Sequence, residues 1–168
     1  MPLRIRREQP ADIAPIAALT AAAFLDAPHS SHTEHFIVDA LRDAEQLSLS
    51  LVAEREGTIV GHVAVSPVSI SDGSGGWYGL GPLSVAPECQ GQGIGTGLVE
   101  QVLTELRRLG AAGCVVLGEP KYYGRFGFRA EPALVLPGIP PEYFQAIAFG
   151  AAVPTGTVAY QKAFDVLG

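Results

Sequence analysis

Charge is scarce in this chain. Asp, Glu, Lys and Arg make up 17% of its 168 residues, below the roughly 25% usual in globular proteins. Hydrophobic residues reach 48%, which argues against disorder and for a well-packed body or an apolar interface, leaving a homodimer open. Cysteine is scarcer still. Cys89 and Cys114 are the whole complement, too few for a disulfide framework and suited to a reducing, cytoplasmic location. Excess positive charge is missing as well: the net charge of −6 repels polyanions, so nucleic acid is not an expected partner. No apolar run approaches a membrane span. Arg4, Arg6 and Arg7 precede an apolar stretch at 13–25 as in a signal peptide, but Asp12 and Pro15 interrupt that stretch and Leu3 and Ile5 alternate with arginines as in a strand.

Repeats, linkers and low-complexity tracts are also lacking, and the length suits a single domain over 1–168. Periodicity predicts strands at 3–7, 49–55, 58–70, 77–86, 114–118, 128–136 and 156–164. Helices are expected at 11–25, 32–44, 94–109 and 120–126, with a further short one opened by Pro140-Pro141-Glu142. The second helix should present Phe36, Ile37, Ala40 and Leu41. In the third, Leu98, Val99, Val102, Leu103 and Leu106 share one face while Glu100, Gln101, Glu105 and Arg108 lie largely outside. The order implies an α/β fold with a mixed sheet and one strand–helix–strand crossover.

The most informative stretch is Val85-Ala86-Pro87-Glu88-Cys89-Gln90-Gly91-Gln92-Gly93-Ile94-Gly95-Thr96-Gly97. An apolar strand enters it, four glycines fill alternate positions, and a helix leaves it. Glycines let successive N–H groups turn to one point, and the helix start adds a positive dipole end; together they make an anion site, above all for phosphate. The chain has no Gly-Lys for a mononucleotide P-loop. The dinucleotide frame Gly-x-Gly-x-x-Gly fails too, ending on Thr96, Leu98 or Glu100 from its three possible starts.

What remains, Gln-x-x-Gly-x-Gly at Gln90, Gly93 and Gly95, resembles the pyrophosphate motif of the GNAT N-acetyltransferase superfamily. Leu83-Ser84-Val85 with Pro87-Glu88 is similar to that family's lead-in, and Tyr122-Tyr123-Gly124-Arg125-Phe126-Gly127-Phe128 resembles its later Tyr-x-x-x-Gly-Phe signature. Arg4-Ile5-Arg6 with Pro10-x-Asp12 looks like its opening. Gly61-His62-Val63-Ala64-Val65-Ser66-Pro67-Val68 and Leu117-Gly118-Glu119-Pro120 are similar to the YhbS-like branch of predicted acetyltransferases. The likeness runs from about residue 3 to 135.

The resemblance implies a three-layer α/β fold whose mixed sheet splays at its centre, and transfer of an acetyl group from acetyl-CoA to a primary amine of a small molecule, peptide or protein. Leu83, Ser84 and Val85 would pair with the pantetheine arm. Gln90, Gly91, Gln92, Gly93, Ile94, Gly95 and Thr96 would hold the diphosphate. Val85 N–H would stabilise the oxyanion, and Tyr123 would both touch the cofactor and donate toward the departing sulfur. Independently of the resemblance, Gly79, Gly81 and Pro82 weaken the ladder of strand 77–86, because proline has no N–H to give.

Other readings stay open beside these. Tyr123 is alternatively an aromatic packed between helix and sheet, with Tyr122 able to take its place. Glu119 is a base or a helix cap, His62 a base or an ordinary half-buried strand histidine, and the base is otherwise ordered water. Lys121 and Arg125 meet adenosine phosphates or line an exposed helix face, whereas Arg107 and Arg108 suit the dipole at the end of the third helix. His29, His32 and His35 crowd one segment but lack the partners of a metal set, so no metal is expected. Cys89 has no partner to activate it. Trp77, Tyr143 and Phe144 belong to an acceptor pocket or a dimer contact. A non-catalytic acyl-CoA sensor, a different acyl group and a hydroxyl acceptor are the rival functions.

Overall fold

The computed structural model of the chain describes residues 3–25, 32–150 and 152–165. Its main sheet runs in the order β1-β2-β3-β5-β6-β9-β7. The strands are β1 (Arg4–Arg7), β2 (Leu49–Arg55), β3 (Thr58–Pro67), β5 (Trp77–Val85), β6 (Gly113–Leu117), β7 (Arg129–Ala130) and β9 (Phe144–Ala148). A smaller sheet places β10 (Gly156–Ala159) between β4 (Ser69–Ile70) and β8 (Leu134–Val135). In the main sheet only β5 and β6 run parallel, joined through α3 (Ile94–Arg108). This is the mixed, flanked sheet that the sequence pattern and the resemblance both imply.

Alternation along β3 assigns the two faces. A Cβ on Gly61 would lie 2.8 Å from Ile94 and 3.0 Å from Leu98, so Gly61, Val63 and Val65 face α3. His62, Ala64 and Ser66 face the other way, where Ala64 packs with Val52, with Ile16 of α1 (Ile13–Phe24) and with Val38 of α2 (Glu34–Asp43). Helices on both faces make three layers. The inner face of α3 is the one expected: Leu98, Val99, Val102 and Leu106 are sealed from solvent, each contributing about 1.5–3 kcal/mol by burial. On α2 the buried set is Ile37, Val38 and Leu41, while Phe36 remains 44% exposed; the inner stripe sits one position further round than the sequence suggested.

The C-terminal third departs most from expectation. The strand expected at 128–136 is two short pieces in different sheets, β7 pairing with β9 and β8 with β10. Between them Leu134 N–H donates to Glu131 O at 3.0 Å, closing a turn around Pro132, whose missing N–H could not have served a ladder. Pro141–Tyr143 forms one 3-10 turn rather than a helix. It leads directly into β9, a strand that the sequence pattern did not reveal, paired to β6 along Phe144–Ala148. The main-sheet strand that starts at Thr58 stops at Pro67, and Ser69–Ile70 joins the other sheet. The last strand ends at Ala159 and gives way to a 3-10 turn at Lys162–Asp165.

Gly61 lies directly against Ile94 and Leu98 of α3, so a side chain placed there is a sensitive probe of how the helix start is seated. Gly61→Ala should cost about 1–3 kcal/mol through overpacking against Ile94 and Leu98. Urea denaturation reads this directly, and an unchanged midpoint would contradict the seating.

Candidate functional site

The site begins where β5 and β6 part. Their ladder runs from Trp77–Gly113 to Leu80–Val116 and stops, while β5 continues to Val85 and Leu117 pairs only with β9. Gly81 and Pro82 follow immediately, and opposite them the β3–β5 register shifts between Val63 and Val65. Proline cannot donate, and an irregular rung bends the strand. Beyond this point Ala86 N–H bonds Val60 O at 2.8 Å. Antiparallel alternation then turns the backbone groups of Ser84 toward β3 and those of Leu83 and Val85 away from it, into the fork. Val85 O already accepts from Gln90 Nε2 at 3.3 Å.

The glycine loop lies directly beyond. Gly91 and Gly93 adopt left-handed φ values of 79° and 82°, which only glycine takes without strain. Gly93 is the cap residue from which α3 starts. Among the described residues, no N–H from Gln90 through Thr96 donates to a protein acceptor; the first to do so is Gly97, to Gly93 O at 3.1 Å. Seven successive donors are thus held by the fold and left for something else, in the field of a 15-residue helix. A Cβ on Gly95 would lie 2.6 Å from the Tyr122 hydroxyl, so that position must be small for Tyr122 to lean over the helix start.

Two cavities flank the fork and share Leu83. The first, about 530 Å³, is lined by Val85, by the loop at Gln90, Gly91 and 93–96, and by Tyr122 and Arg125. The second, about 620 Å³, opens on the α1–α2 side and is lined by Pro82, Leu117 and Tyr123 together with Phe24, Glu34, Tyr160 and Asp165. The adjacent tyrosines of α4 (Pro120–Tyr123) therefore divide: Tyr122 belongs to the loop groove and Tyr123 to the far cavity, their rings edge-on at 5.0 Å. Tyr123 packs flat where Gly118 has no side chain, its Cε2 2.4 Å from where a Cβ would stand. Burial drives its phenol well above the usual tyrosine range, so it remains protonated.

The other candidates separate on position. Arg125 crosses to Thr96 Oγ1 at 3.0 Å with its guanidinium 4.8 Å from the Tyr122 ring centre; Lys121 lines neither cavity. Arg55, which sequence reasoning passed over, reaches Gln92 Oε1 at 3.0 Å and brings a second cation to the loop. Glu119 is exposed at the cap of α4, where its carbonyl accepts from Tyr122 and Tyr123 N–H at 3.1 Å each, and its side chain faces neither cavity. Trp77 and Phe144 are core residues packed with Val115, Leu134 and Val158, and Tyr143 lies at the surface; none lines the cavity beside Tyr123. Arg107 stacks 4.7 Å from the Phe149 ring centre. Cys89 is half-buried against the core and Cys114 fully buried. His29 lies outside the described residues, and among those described no group of three or more His, Cys, Asp or Glu is placed to hold a metal ion. Nor is any described helix long and apolar enough to cross a membrane.

Comparison with known proteins agrees with this geometry. Residues 15–128 match the acetyltransferase (GNAT) family. The chain is 40% identical over 126 residues to the uncharacterized N-acetyltransferase YhbS of Escherichia coli K12, covering 74% of this chain and 72% of that one. A GNAT family acetyltransferase from Brucella melitensis, solved in complex with acetyl-CoA, superposes with a TM-score of 0.88 at 50% identity, over 98% of this chain and 99% of the other. Escherichia coli YhbS in complex with CoA superposes at 0.86 with 35% identity, over 99% and 93%.

His62 is explained without catalysis. It is fully buried on the α1–α2 face of β3, with Nε2 2.8 Å from Ser50 Oγ. Ser50 in turn bonds Glu8, which Arg42 holds at 2.8 Å. Burial pushes the imidazole down to about 4, against a smaller upward pull from Glu8. The free side chain titrates near 6.5, so between those values the unfolded chain takes up a proton that the fold refuses. Stability is complete above about pH 6.5 and falls as pH drops toward the folded value, by about 3 kcal/mol in all. Urea midpoints followed from about pH 7 to about pH 4 should drop more steeply for the wild type than for His62→Gln; parallel curves would contradict a neutral, buried His62.

Proposed function

This chain belongs to the acetyltransferase (GNAT) family, and on that premise we propose that it moves an acetyl group from acetyl-CoA to a primary amine by direct attack in a ternary complex. The observation that carries the reading is the row of unpartnered amides from Gln90 to Thr96 at the start of α3, ending beside a forked sheet. A diphosphate satisfies those donors, with Arg55 and Arg125 at the edge of the groove. The pantetheine arm then enters the fork as an added strand, bonding the outward groups of Leu83 and Val85. Ser84 would contribute through position rather than through its own ladder groups, which face β3. This arrangement delivers the thioester from the loop groove to the cavity beside Tyr123. Acetyl-CoA is a co-substrate here, and the chemistry needs no metal.

Only about one lysine-like amine in 10³ is neutral at pH 7, so the first requirement is loss of a proton from the ammonium. Glu119 and His62 line neither cavity, and water in the open cavity carries that proton away. The neutral nitrogen attacks the thioester carbon, a C–N bond forms, and the carbonyl oxygen gains charge that Val85 N–H stabilises. The attached nitrogen gives up its second proton to the same water, collapse breaks the C–S bond, and the electron pair leaves on sulfur. Phenol is the weaker acid by about 2 kcal/mol in water, and the burial of Tyr123 widens the gap. Tyr123 therefore keeps its proton and steadies the sulfur by donating a hydrogen bond, and the thiolate is protonated from solvent. A cytoplasmic setting supplies the acetyl-CoA.

Two substitutions test the halves of this scheme separately. Tyr123→Phe should lower turnover by about 10²-fold while leaving CoA affinity within a few-fold; thiol release and calorimetry read the two, and undiminished turnover would remove the role. Gly93→Asp puts a Cβ at a left-handed position and a negative charge at the anion site, and should weaken CoA binding by at least about 10²-fold. Normal binding in a folded Gly93→Asp variant would overturn the loop assignment. Wild-type protein that binds acetyl-CoA yet never releases thiol with any amine would be a sensor instead.

A further inference from the structure

The loop groove contains one donor besides its row of amides. Tyr122 lies half-buried in α4, the short helix that Pro120 opens, and its ring is held on several sides. It stands edge-on to Tyr123 at 5.0 Å and to Phe126 at 5.6 Å, and the Arg125 guanidinium lies 4.8 Å from its centre. Arg125 is itself fixed, donating from Nε to Tyr122 O at 3.3 Å and from Nη2 to Thr96 Oγ1 at 3.0 Å. The direction of the ring is therefore set by the fold. The hydroxyl at its end has no hydrogen-bond partner among the described residues.

That hydroxyl stands at a particular point. It lies 2.6 Å from where a Cβ on Gly95 would be, and the same point is 3.7 Å from Val85 Cγ2. A helical Cβ leans toward the N-terminus of its helix, so the hydroxyl sits at the open end of α3. On one side are the unpartnered amides of the loop, and on the other is Val85 of the fork. A side chain at Gly95 would take the place of the hydroxyl. Among the described residues no carboxylate lines this groove, so a bound anion meets donors without a competing charge of its own sign.

We infer that the Tyr122 hydroxyl is a ligand of the coenzyme and donates to the phosphate that carries the pantetheine arm. The inference rests on the acetyl-transfer reading and adds a residue to its binding site. With the arm in the fork beside Val85 and the diphosphate over the loop, the coenzyme crosses between them at its arm-bearing phosphate. The hydroxyl stands at that crossing. A hydrogen bond from a phenol to a phosphate oxygen is charge-assisted and belongs to the stronger kind. The donor is already immobilised by Arg125 and its aromatic neighbours, so little freedom is lost when the bond forms. The adjacent tyrosines of α4 then serve opposite ends of one arm, Tyr122 its phosphate and Tyr123 its sulfur.

Tyr122→Phe removes the hydroxyl and keeps the ring, its stacking and the anchorage of Arg125. Calorimetry on the purified full chain should show the variant binding CoA at least about 10-fold more weakly than the wild type. The two halves of the coenzyme, used as separate probes, localise the contact. Phosphopantetheine keeps the arm-bearing phosphate and should lose affinity by a similar factor, whereas the adenosine bisphosphate half should bind both proteins equally. The urea midpoint of the unliganded variant should match the wild type, because the hydroxyl has no bond within the protein to lose. Undiminished CoA affinity, an adenosine half weakened as much as phosphopantetheine, or a lowered urea midpoint would each overturn the assignment. The wild type keeps the two levels apart: no CoA binding there rejects acetyl transfer itself, whereas CoA binding that Tyr122→Phe leaves unchanged rejects the Tyr122 contact alone.

Discussion

Hydrogen bonding between β5 and β6 ends at Leu80 and Val116, and both cavities exist because of it. A continuous ladder would have buried the outward groups of Leu83 and Val85 in the sheet and closed the route between the two faces. Pro82 ends it on chemical grounds, since a residue without N–H cannot extend a ladder, and the shifted β3 register beside it absorbs the irregularity. The cost is confined to a few rungs. Below the fork Trp77 and Val115 are sealed in the core, and above it α3 covers Gly61, Val63 and Val65. The molecule can thus hold open a gap in its central sheet while the layers on either side remain fully packed.

The second constraint is electrostatic. Under the proposed function a chain of net charge −6 holds a polyanion, and its overall field works against that. Local donors decide the outcome. Hydrogen bonds from fixed amides to a phosphate act at contact distance, where they outweigh a diffuse field screened over about 10 Å by salt. The two cations at the loop, Arg55 and Arg125, are themselves held by Gln92 and Thr96, so they arrive pre-positioned rather than as free surface charge.

What could be seen in the sequence depended on whether the relevant forces were local. The α3 helix was legible because its apolar positions repeat within one element, and the loop because glycine spacing and helix start are neighbours in the chain. Pro82 announced the fork for the same reason. Strand β9 was not legible: Phe144, Gln145 and Ala146 are all buried, so no alternation marks the strand, and the preceding prolines suggested a helix start instead. Glu119 drew attention as the end of a strand beside Tyr123 and His62 by the chemistry of imidazole, and the fold places one at a solvent-facing cap and the other in a buried chain through Ser50 to Glu8 and Arg42. The far cavity was out of reach in principle. Phe24, Leu117 and Tyr160 are separated by dozens of residues, and only the assembled layers bring them to one wall.

The central claim is that the amides from Gln90 to Thr96 are held without partners so that a diphosphate can take them. Amide hydrogen exchange of the intact chain, measured residue by residue with and without CoA, tests this most directly. Those seven amides should exchange freely in the unliganded protein and slow by at least about 10-fold when CoA binds, ahead of amides elsewhere in α3. Saturating CoA that leaves their exchange unchanged would contradict it.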